Sequence, residues 1–224
     1  MASFTGNPYT GDATLRSYST TSFAACRAGS GTLSVISSSA TSAGPQVDNT
    51  AGAFYFDRYV MPFNTSSLGS GASVSAGTLD VYVNLIGGYL AGYTHYLDLV
   101  AVNLASAPNI ATGDWSNIVI GTACATRLSM ADTTAGVTKT FTLNAAGLAA
   151  ISATGYTTFA VVVGNDFTNS ASSPVNLPLL GYTYMNCNTA NAASNKPLLS
   201  LTYTGGATPS SPSRRRRPSG LYTR

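Results

Sequence analysis

One stretch decides the fold: Phe54-Tyr-Phe-Asp-Arg-Tyr-Val-Met-Pro-Phe-Asn-Thr-Ser-Ser-Leu68, continued by Ser73-Val-Ser-Ala-Gly-Thr-Leu-Asp-Val-Tyr-Val-Asn84. Aromatic and β-branched residues dominate both halves, which is typical of β-strands. Every second residue from Leu79 to Leu85 is aliphatic, and this period of two predicts a strand with one buried face. Pro62 has no N–H group, so we expect it near a strand end or a sheet edge. The stretch predicts two strands joined by a turn.

A second informative block begins at Phe141-Thr-Leu-Asn-Ala-Ala-Gly-Leu-Ala-Ala-Ile151. Asn144 is a candidate N-cap for one short helix over residues 145–151, and Gly155 ends that helical region. The apolar run at residues 157–163 predicts a strand covered on both faces. The block therefore predicts a strand, one short helix and further strands.

The remaining elements are short. Strands are predicted over residues 12–18, 22–27, 32–36, 79–85, 96–104 and 197–203. The polar run at 37–50 predicts a loop, and residues 114–117 predict a single helical turn. With about ten strands at this spacing, the expected fold is an all-β, jelly-roll-like two-sheet sandwich with one short helix and an extended basic C-terminal arm.

The composition agrees with an all-β fold. All eight acidic residues are Asp, and the two lysines are Lys139 and Lys196, so the chain is poor in good helix formers. A chain of 224 residues with 44% hydrophobic content buries a full core. We expect one domain over residues 1–204, followed by a Gly/Pro/Ser-rich linker and an Arg-rich arm over residues 205–224.

The positive charge is concentrated at the C-terminus, in Arg214, Arg215, Arg216, Arg217 and Arg224. The other six basic side chains are outnumbered by eight acidic ones, so the predicted body is nearly uncharged. The arm has three interpretations: binding to nucleic acid phosphates, docking on an acidic protein surface, or a solvated tail. Nucleic acid is the weakest, because neither interleaved aromatics nor a folded basic face accompanies the arginines.

Several quoted segments, in the same order, resemble DNRLRE-type β-sandwich modules. They are Phe63-Asn-Thr-Ser-Ser-Leu68, Ala72-Ser-Val-Ser-Ala-Gly-Thr-Leu-Asp-Val-Tyr-Val83, Phe141-Thr-Leu-Asn-Ala-Ala-Gly-Leu148, Gly155-Tyr-Thr-Thr-Phe159 and Asn195-Lys-Pro-Leu-Leu-Ser-Leu-Thr-Tyr203. The resemblance spans residues 12–203 and implies a non-catalytic jelly roll, of the kind attached to carbohydrate-active enzymes or found in phage virion proteins. Many members have Arg-Phe-Asp where this chain has Pro62-Phe-Asn64, so the charge pair of that strand end does not transfer.

The sequence offers little for catalysis. His95 is the single histidine, and no Gly-x-Ser-x-Gly motif supplies a nucleophile, so a surface or interface histidine is the favoured interpretation. Asp57 and Asp80 fall on predicted neighbouring strands, but outward, solvated positions explain them better than a glycosidase pair. We predict no enzymatic activity.

Metal and cofactor sites are not predicted either. Cys26, Cys124 and Cys187 are far apart, which favours buried free thiols over a disulfide framework or a zinc site. The loops around Asp48 and Asp166 could offer carboxylate and backbone oxygens to calcium, but no EF-hand spacing supports such a site. We therefore expect no metal and no cofactor.

Exposed aromatics are the remaining candidates for binding. Tyr89, Tyr93 and Tyr96 lie among glycines, and with Trp115 they are candidates for stacking on a sugar or anchoring a protein partner. Packing at a sheet end or subunit interface is the favoured alternative.

Two functions remain. The first is a bacteriophage virion structural protein, a capsid decoration or fibre-like subunit that forms a homo-oligomer such as a trimer and is anchored to other virion proteins by its arm. The alternative is a carbohydrate-binding module for a surface polysaccharide. The N-terminus lacks secretory signal features and no apolar run is long enough for a membrane span, so we expect synthesis in the host cytoplasm and location in the virion.

Overall fold

The computed structural model describes residues 1–36, 42–44, 46–50, 53–87, 96–131, 133–168 and 181–206. The strands of this part are β1 (Ala2–Gly6), β2 (Ala13–Ser19), β3 (Thr32–Ile36), β4 (Ser42–Ala43), β5 (Gln46–Thr50), β6 (Ala53–Asn64), β7 (Ser73–Gly87), β8 (Tyr96–Ala101), β9 (Leu128–Ser129), β10 (Val137–Thr142), β11 (Tyr156–Val163), β12 (Gly181–Asn188) and β13 (Leu198–Thr204). The helices are α1 (Phe23–Ala28), α2 (Ala145–Ala149) and α3 (Gly164–Thr168), with 3-10 turns at Ser66–Leu68 and Thr112–Asn117.

These strands form a two-sheet β-sandwich, as the sequence predicted. In the first sheet, β7 pairs with β10 on one side and with β13 and β12 on the other, and β1 extends it beyond β13. In the second sheet, β6 pairs with β2, β5 and β11, β3 adds to β2, and β8 and β9 follow β11. Pairing of β5 with β12 joins the two sheets along one side, and every pairing is antiparallel.

The main core lies between the two sheets. Its large, fully buried side chains include Phe63, Phe141 and Phe159, together with Leu79 and Leu99. Burial of one such side chain contributes about 1.5–3 kcal/mol. The alternation predicted for β7 therefore identifies the face of the first sheet that packs into the main core.

A second core covers the outer face of the second sheet, which confirms the prediction that the strand at residues 157–163 is covered on both faces, although the segments that cover it were not predicted. Phe56, Val60, Val100 and Val162 project from β6, β8 and β11 away from the main core and pack with Trp115. Short helices and the 3-10 turn at Thr112–Asn117 cover them. Both faces of β11 are thus buried, which explains its continuous apolar sequence.

Two local predictions were wrong. Residues 22–27, predicted as a strand, form the N-cap and most of α1, because the Ser22 hydroxyl accepts a hydrogen bond from the Ala25 N–H (3.1 Å) and caps the helix. Gly29, at φ 73°, ends it in the left-handed conformation that glycine adopts readily. Residues 37–50, predicted as a loop, contain β4 and β5, whose polar composition concealed their backbone pairing with β12.

The helix predictions were partly right. The Asn144 side chain caps α2 by accepting from the Gly147 N–H at 3.0 Å, and the 3-10 turn at Thr112–Asn117 matches the predicted helical turn. One short helix was expected, whereas the described residues contain three. The extra two are α1 and α3, which the second core requires as a cover.

Leu85 breaks the alternation of β7. Leu79, Val81 and Val83 are buried, but Leu85 is 47% exposed. The pairing with β12 shifts register between Val83 and Leu85, so a β-bulge reverses the side-chain phase. The prediction of an inward Leu85 was therefore wrong.

The strand end at Pro62 is as predicted. Pro62 lies two residues before the end of β6, and its carbonyl accepts a hydrogen bond from the Tyr9 N–H at 2.7 Å. The Asn64 side chain accepts from the Ser66 N–H and hydroxyl, which stabilises the turn toward β7. At this position the side-chain amide of Asn64 stabilises the turn.

Candidate functional site

Three ion pairs of the described domain lie against aromatic rings. The most buried is Arg58 with Asp166: the guanidinium Nε donates to one carboxylate oxygen at 2.7 Å and Nη2 to the other at 3.0 Å. The guanidinium also lies 3.6 Å from the centroid of the Trp115 ring. Arg58 therefore replaces its lost hydration with a bidentate carboxylate and a ring face.

Arg27 and the backbone complete this buried network. Arg58 donates to the carbonyls of Arg27 and Trp115, both at 3.2 Å, and Arg27 donates to the Asp166 carbonyl at 2.7 Å. The network ties β6 to α1, α3 and the 3-10 turn. Its location, chemistry and burial are those of a structural element.

Trp115 cannot serve as a glycan-stacking residue. Its side chain is 3% exposed, its indole N–H donates to the Arg27 carbonyl at 3.1 Å, and Arg58 covers its ring. The expectation that Trp115 is an exposed contact is thus corrected. The second core buries the ring because the 3-10 turn at Thr112–Asn117 packs onto β6 and β8.

Tyr96 belongs to a second ion-pair cluster. Arg127 donates to both carboxylate oxygens of Asp98, at 3.1 and 2.9 Å, and its guanidinium lies 4.7 Å from the Tyr96 ring centroid. Burial raises the pKa of Asp98, and the hydrogen bonds and charge of Arg127 oppose this effect. Tyr96 is half-buried and supports the arginine.

A third cluster lies on β2 and β6. Arg16 and Asp57 are register partners, and Nε and Nη2 of Arg16 donate to the two Asp57 oxygens at 2.7 and 2.6 Å. Tyr18 and Tyr55 are the next partners along the same face, with ring centroids 4.7 Å apart. The sequence did not predict these four residues as a group. Alternation with a period of two does place Arg16 and Tyr18 on one face of β2, and Tyr55 and Asp57 on one face of β6.

Asp57 and Asp80 do not form a carboxylate pair. The strands that pair with β6 do not include β7, so the expectation of neighbouring strands was wrong. Asp57 is buried against Arg16, whereas Asp80 accepts a hydrogen bond from the Thr140 hydroxyl at 2.6 Å. Each carboxylate has a separate structural partner.

Asp12 is buried without an arginine. One of its oxygens accepts from the Tyr59 hydroxyl (2.6 Å) and the Ala190 N–H (2.9 Å), while the other oxygen has no hydrogen-bond partner among the residues that the structure describes. Burial raises the pKa of Asp12, although these two hydrogen bonds and the charge of Lys196 oppose the rise. This carboxyl joins the N-terminal segment to β6 and to the turn after β12.

The pKa of Asp114 is shifted in the opposite direction to that of Asp12. Burial works against its ionisation, but hydrogen bonds from the N–H groups of Ala105 and Ala111 and from the Asn117 amide outweigh it and lower its pKa. Asp114 thereby holds the 3-10 turn that carries Trp115.

These two aspartates predict opposite pH effects. Because the pKa of Asp12 is raised in the folded state, its contribution to stability is largest at low pH and is lost as the pH rises through that pKa. Asp12→Asn should therefore destabilise the protein more at about pH 3 than at about pH 7. Asp114→Asn is the control of opposite sign, since its contribution is lost as the pH falls. Urea unfolding at both pH values measures each difference, and a parallel pH trend for the two variants would contradict the assignment.

The cysteines are buried free thiols, as expected from their spacing. Burial raises the pKa of Cys187 to about 12, so at neutral pH its thiol stays protonated and unreactive. Burial likewise raises the pKa of Cys26 and Cys124. They behave as small apolar core residues.

The described residues also form an uncharged groove of about 350 Å³ between β1, β13, β7 and β10. Its lining combines apolar side chains, from Phe4, Leu143, Leu148 and Leu201, with hydroxyl groups, from Ser3, Thr5, Ser75, Thr78, Thr142, Ser200 and Thr202. Such hydroxyls are ordinary on solvent-facing strand positions, where threonine is favoured. No ionisable side chain is among the groove's lining residues, so it offers hydrogen bonding without charge.

Within the described ranges, no three His, Cys, Asp or Glu side chains come together in a way that could hold a metal ion. At Asp166, both carboxylate oxygens are taken by Arg58, which makes calcium binding there unfavourable. Among the helices that the structure describes, none is long and apolar enough to cross a membrane.

Several predicted sites lie outside the described residues. They are Tyr89, Tyr93, His95, Arg214, Arg215, Arg216, Arg217 and Arg224, and the side chain of Asp48 belongs with them. The glycine-rich segment and the basic arm therefore remain predictions from the sequence.

Comparison with known proteins gave no relationship: no family model matches the chain, and no curated protein matches it. The resemblance to DNRLRE-type modules stays a prediction. The functional argument consequently rests on the geometry described above.

Proposed function

We propose that this chain is a non-enzymatic structural subunit of a bacteriophage virion, a capsid decoration or fibre-like protein located on the particle. The observation that carries the proposal is the internal neutralisation of charge. Each arginine of the described domain, Arg16, Arg27, Arg58 and Arg127, forms an ion pair with an aspartate. The charged side chains that an enzyme could use on a substrate are here paired with one another.

The burial of the acidic side chains supports the same proposal. Asp12, Asp57, Asp98, Asp114 and Asp166 are buried. Among acidic side chains that the structure describes, Asp80 alone is neither buried nor ion-paired, and it is hydrogen-bonded to Thr140. A β-domain with so little surface charge lacks a common protection against side-by-side association, which favours a subunit packed among copies of itself. A homo-oligomer such as a trimer satisfies this expectation.

The same distribution supports an external partner for the arm. Because nearly all the carboxylates that the structure describes are used internally, the described part of the domain offers little acidic surface to Arg214–Arg217. An acidic patch on a neighbouring virion protein supplies the missing charge. The arm then acts as an anchor and the sandwich as the displayed body.

Particle association tests this proposal. Particles are induced from a host whose genome carries the gene and purified on a density gradient, and the tagged chain is followed by mass spectrometry. We expect it to copurify with particles and the variant lacking residues 205–224 to be lost from them. A variant with Gln at positions 214–217 and 224 separates loss of charge from loss of chain length.

Absence of the intact chain from purified particles would overturn the virion assignment. Full incorporation of the Gln variant would overturn the anchoring role of the arm. Sedimentation of the purified intact chain measures the oligomeric state, and a strict monomer would count against packing among copies.

A further inference from the structure

Strand β1 is an open edge of the first sheet. Among the strands that the structure describes, β1 pairs with β13 alone and lies at the end of the strand order. The side chains of Ala2, Ser3 and Thr5 are exposed, and those of Phe4 and Gly6 are half-buried. An exposed edge strand presents a row of backbone N–H and C=O groups that can pair with a further strand. The outer edge of β1 therefore has donors and acceptors for one more β-strand.

The usual protection of an edge strand is missing from β1. Natural edge strands carry lysine, proline or a bulge, or they are very short. The five residues of β1 are in regular register with β13, and none of them is charged or proline. By contrast, β10 on the other side of the sheet carries Lys139, and β9 in the second sheet has only two residues. Of these three edges, β1 is the least protected against pairing.

The two faces of β1 differ in chemistry. Phe4 is the register partner of Leu201 and packs against the main core, so its side chain lies on the inner face. The Phe4 ring lies over Gly6, where a Cβ atom would come within 2.7 Å of the ring. Ser3 and Thr5 alternate with Phe4 and place their hydroxyl groups on the outer face. The edge thus offers an incompletely covered ring on one face and two hydroxyl groups on the other.

The residue types of β1 are symmetric about the central residue. The sequence Ala2-Ser-Phe-Thr-Gly6 has the order small, hydroxyl, aromatic, hydroxyl, small in either direction. Two antiparallel copies related by a twofold axis at Phe4 would place the two rings opposite each other and each Ser3 opposite Thr5 of the other copy. Aromatic pairs and Ser–Thr pairs are favourable cross-strand neighbours. The edge is therefore complementary to itself, and none of the five residues brings a charge that would oppose the pairing.

We propose that β1 pairs with β1 of a second copy of this chain, antiparallel and about a twofold axis at Phe4. The contact joins the first sheets of two subunits into one continuous sheet and covers the exposed part of the Phe4 ring. It supplies a surface for the packing among copies in the proposed function and rests on that part of it, not on the virion assignment. Because the contact is twofold, the expected assembly is a dimer or a larger even-numbered oligomer.

Strand β3 provides the matched control. It is also a five-residue edge strand without charge, and among the described strands it pairs with β2 alone. A twofold pairing about Ser34 would place the polar Thr32 opposite the apolar Ile36, so β3 lacks the self-complementarity of β1. Thr32 and Val35 are exposed, and lysines there change an edge of the same kind.

Sedimentation velocity of the full chain, from about 1 to 500 µM, measures the association. A single strand pairing is small for a specific interface, so we expect a dimer with a Kd of about 1–100 µM. Ser3→Lys combined with Thr5→Lys places like charges opposite each other and should weaken the dimer at least about tenfold. Ser3→Asp combined with Thr5→Lys places opposite charges there and should keep the Kd within about threefold. Thr32→Lys combined with Val35→Lys should change it by less than about twofold.

Equal weakening by the two β1 variants would overturn the twofold register. A dimer that survives the two β1 lysines would overturn the choice of β1 but leave packing among copies intact, and so would a greater loss from the β3 variant. A closed trimer would also overturn the twofold contact, whereas a strict monomer would reject both the contact and the packing. Copurification with particles is a separate measurement, so failure of the virion assignment is distinguished from all of these results.

Hydrogen exchange of the intact chain tests the pairing without any substitution, and it decides if a variant does not fold by circular dichroism. The amides of residues 2–6 should become more protected as the protein concentration rises, because the second copy covers those that face the outer edge. The amides of β3 should show no such change. Protection of residues 2–6 that is independent of concentration would reject the pairing.

Discussion

Asp166→Asn should lower the free energy of unfolding by about 3–5 kcal/mol, because it leaves the buried Arg58 guanidinium without its compensating carboxylate. Arg58 is 3% exposed and bonds to both oxygens of Asp166. An amide presents one acceptor and one donor, so one of those bonds becomes a donor–donor contact. Urea denaturation followed by circular dichroism measures the change.

Two further variants separate this explanation from general intolerance of substitution. Asp80→Asn removes a carboxylate that accepts one hydroxyl hydrogen bond at a half-exposed position, and its cost should stay within about 1 kcal/mol. Replacing the pair together, as Arg58→Met with Asp166→Leu, should recover much of the loss, since apolar substitution of a whole buried pair is often neutral. Equal costs for Asp166→Asn and Asp80→Asn would show that the buried pair is not a major source of stability.

Phe141→Ala should cost about 3–5 kcal/mol through the lost burial and the cavity left in the main core. Phe141 is fully buried and is the register partner of Leu79, so both side chains project from the first sheet into the main core, Phe141 from the edge strand β10. Neighbouring strands constrain the backbone on the β7 side, which limits collapse around the cavity. Thermal and urea unfolding measure the effect.

Val35→Ala is the matched control, since Val35 also lies on an edge strand but is 38% exposed. Its cost should remain below about 1 kcal/mol. Phe141→Leu should fall between the two alanine variants because it keeps part of the buried volume. A small loss for Phe141→Ala would mean that β10 is not firmly packed on the core.

Part of this architecture was readable from residue patterns. Alternation in β6 places Arg58 between Phe56 and Val60 on one face, which is a signal that this arginine is buried, but the sequence does not name its partner. Likewise, Asn144 correctly predicted the start of α2. Ser22 is also an N-cap, but residues 22–27 fit a strand pattern as well, so α1 was not predicted. Whether such a short segment forms a helix or a strand depends on the tertiary surface that it covers.

The third ion-pair cluster, formed by Arg16, Asp57, Tyr18 and Tyr55, shows the same division. Alternation puts Tyr18 with Arg16 and Tyr55 with Asp57, each on one side of its own strand. Only the pairing of β2 with β6 brings the two tyrosines into a stack. Trp115 failed as a candidate for the converse reason, since a loop aromatic is exposed or buried according to a layer that no local pattern predicts.

The sequence by itself determined the strand-rich fold, the core faces of β7 and the near absence of free charge outside the basic arm. The tertiary structure decided which arginine meets which aspartate, across 41, 108 and 29 residues for Arg16, Arg58 and Arg127. It also decided which segments cover the outer face of the second sheet. Hydrophobic periodicity is a local property of the chain, whereas an ion pair or a packed layer depends on which distant segments the fold brings within contact distance.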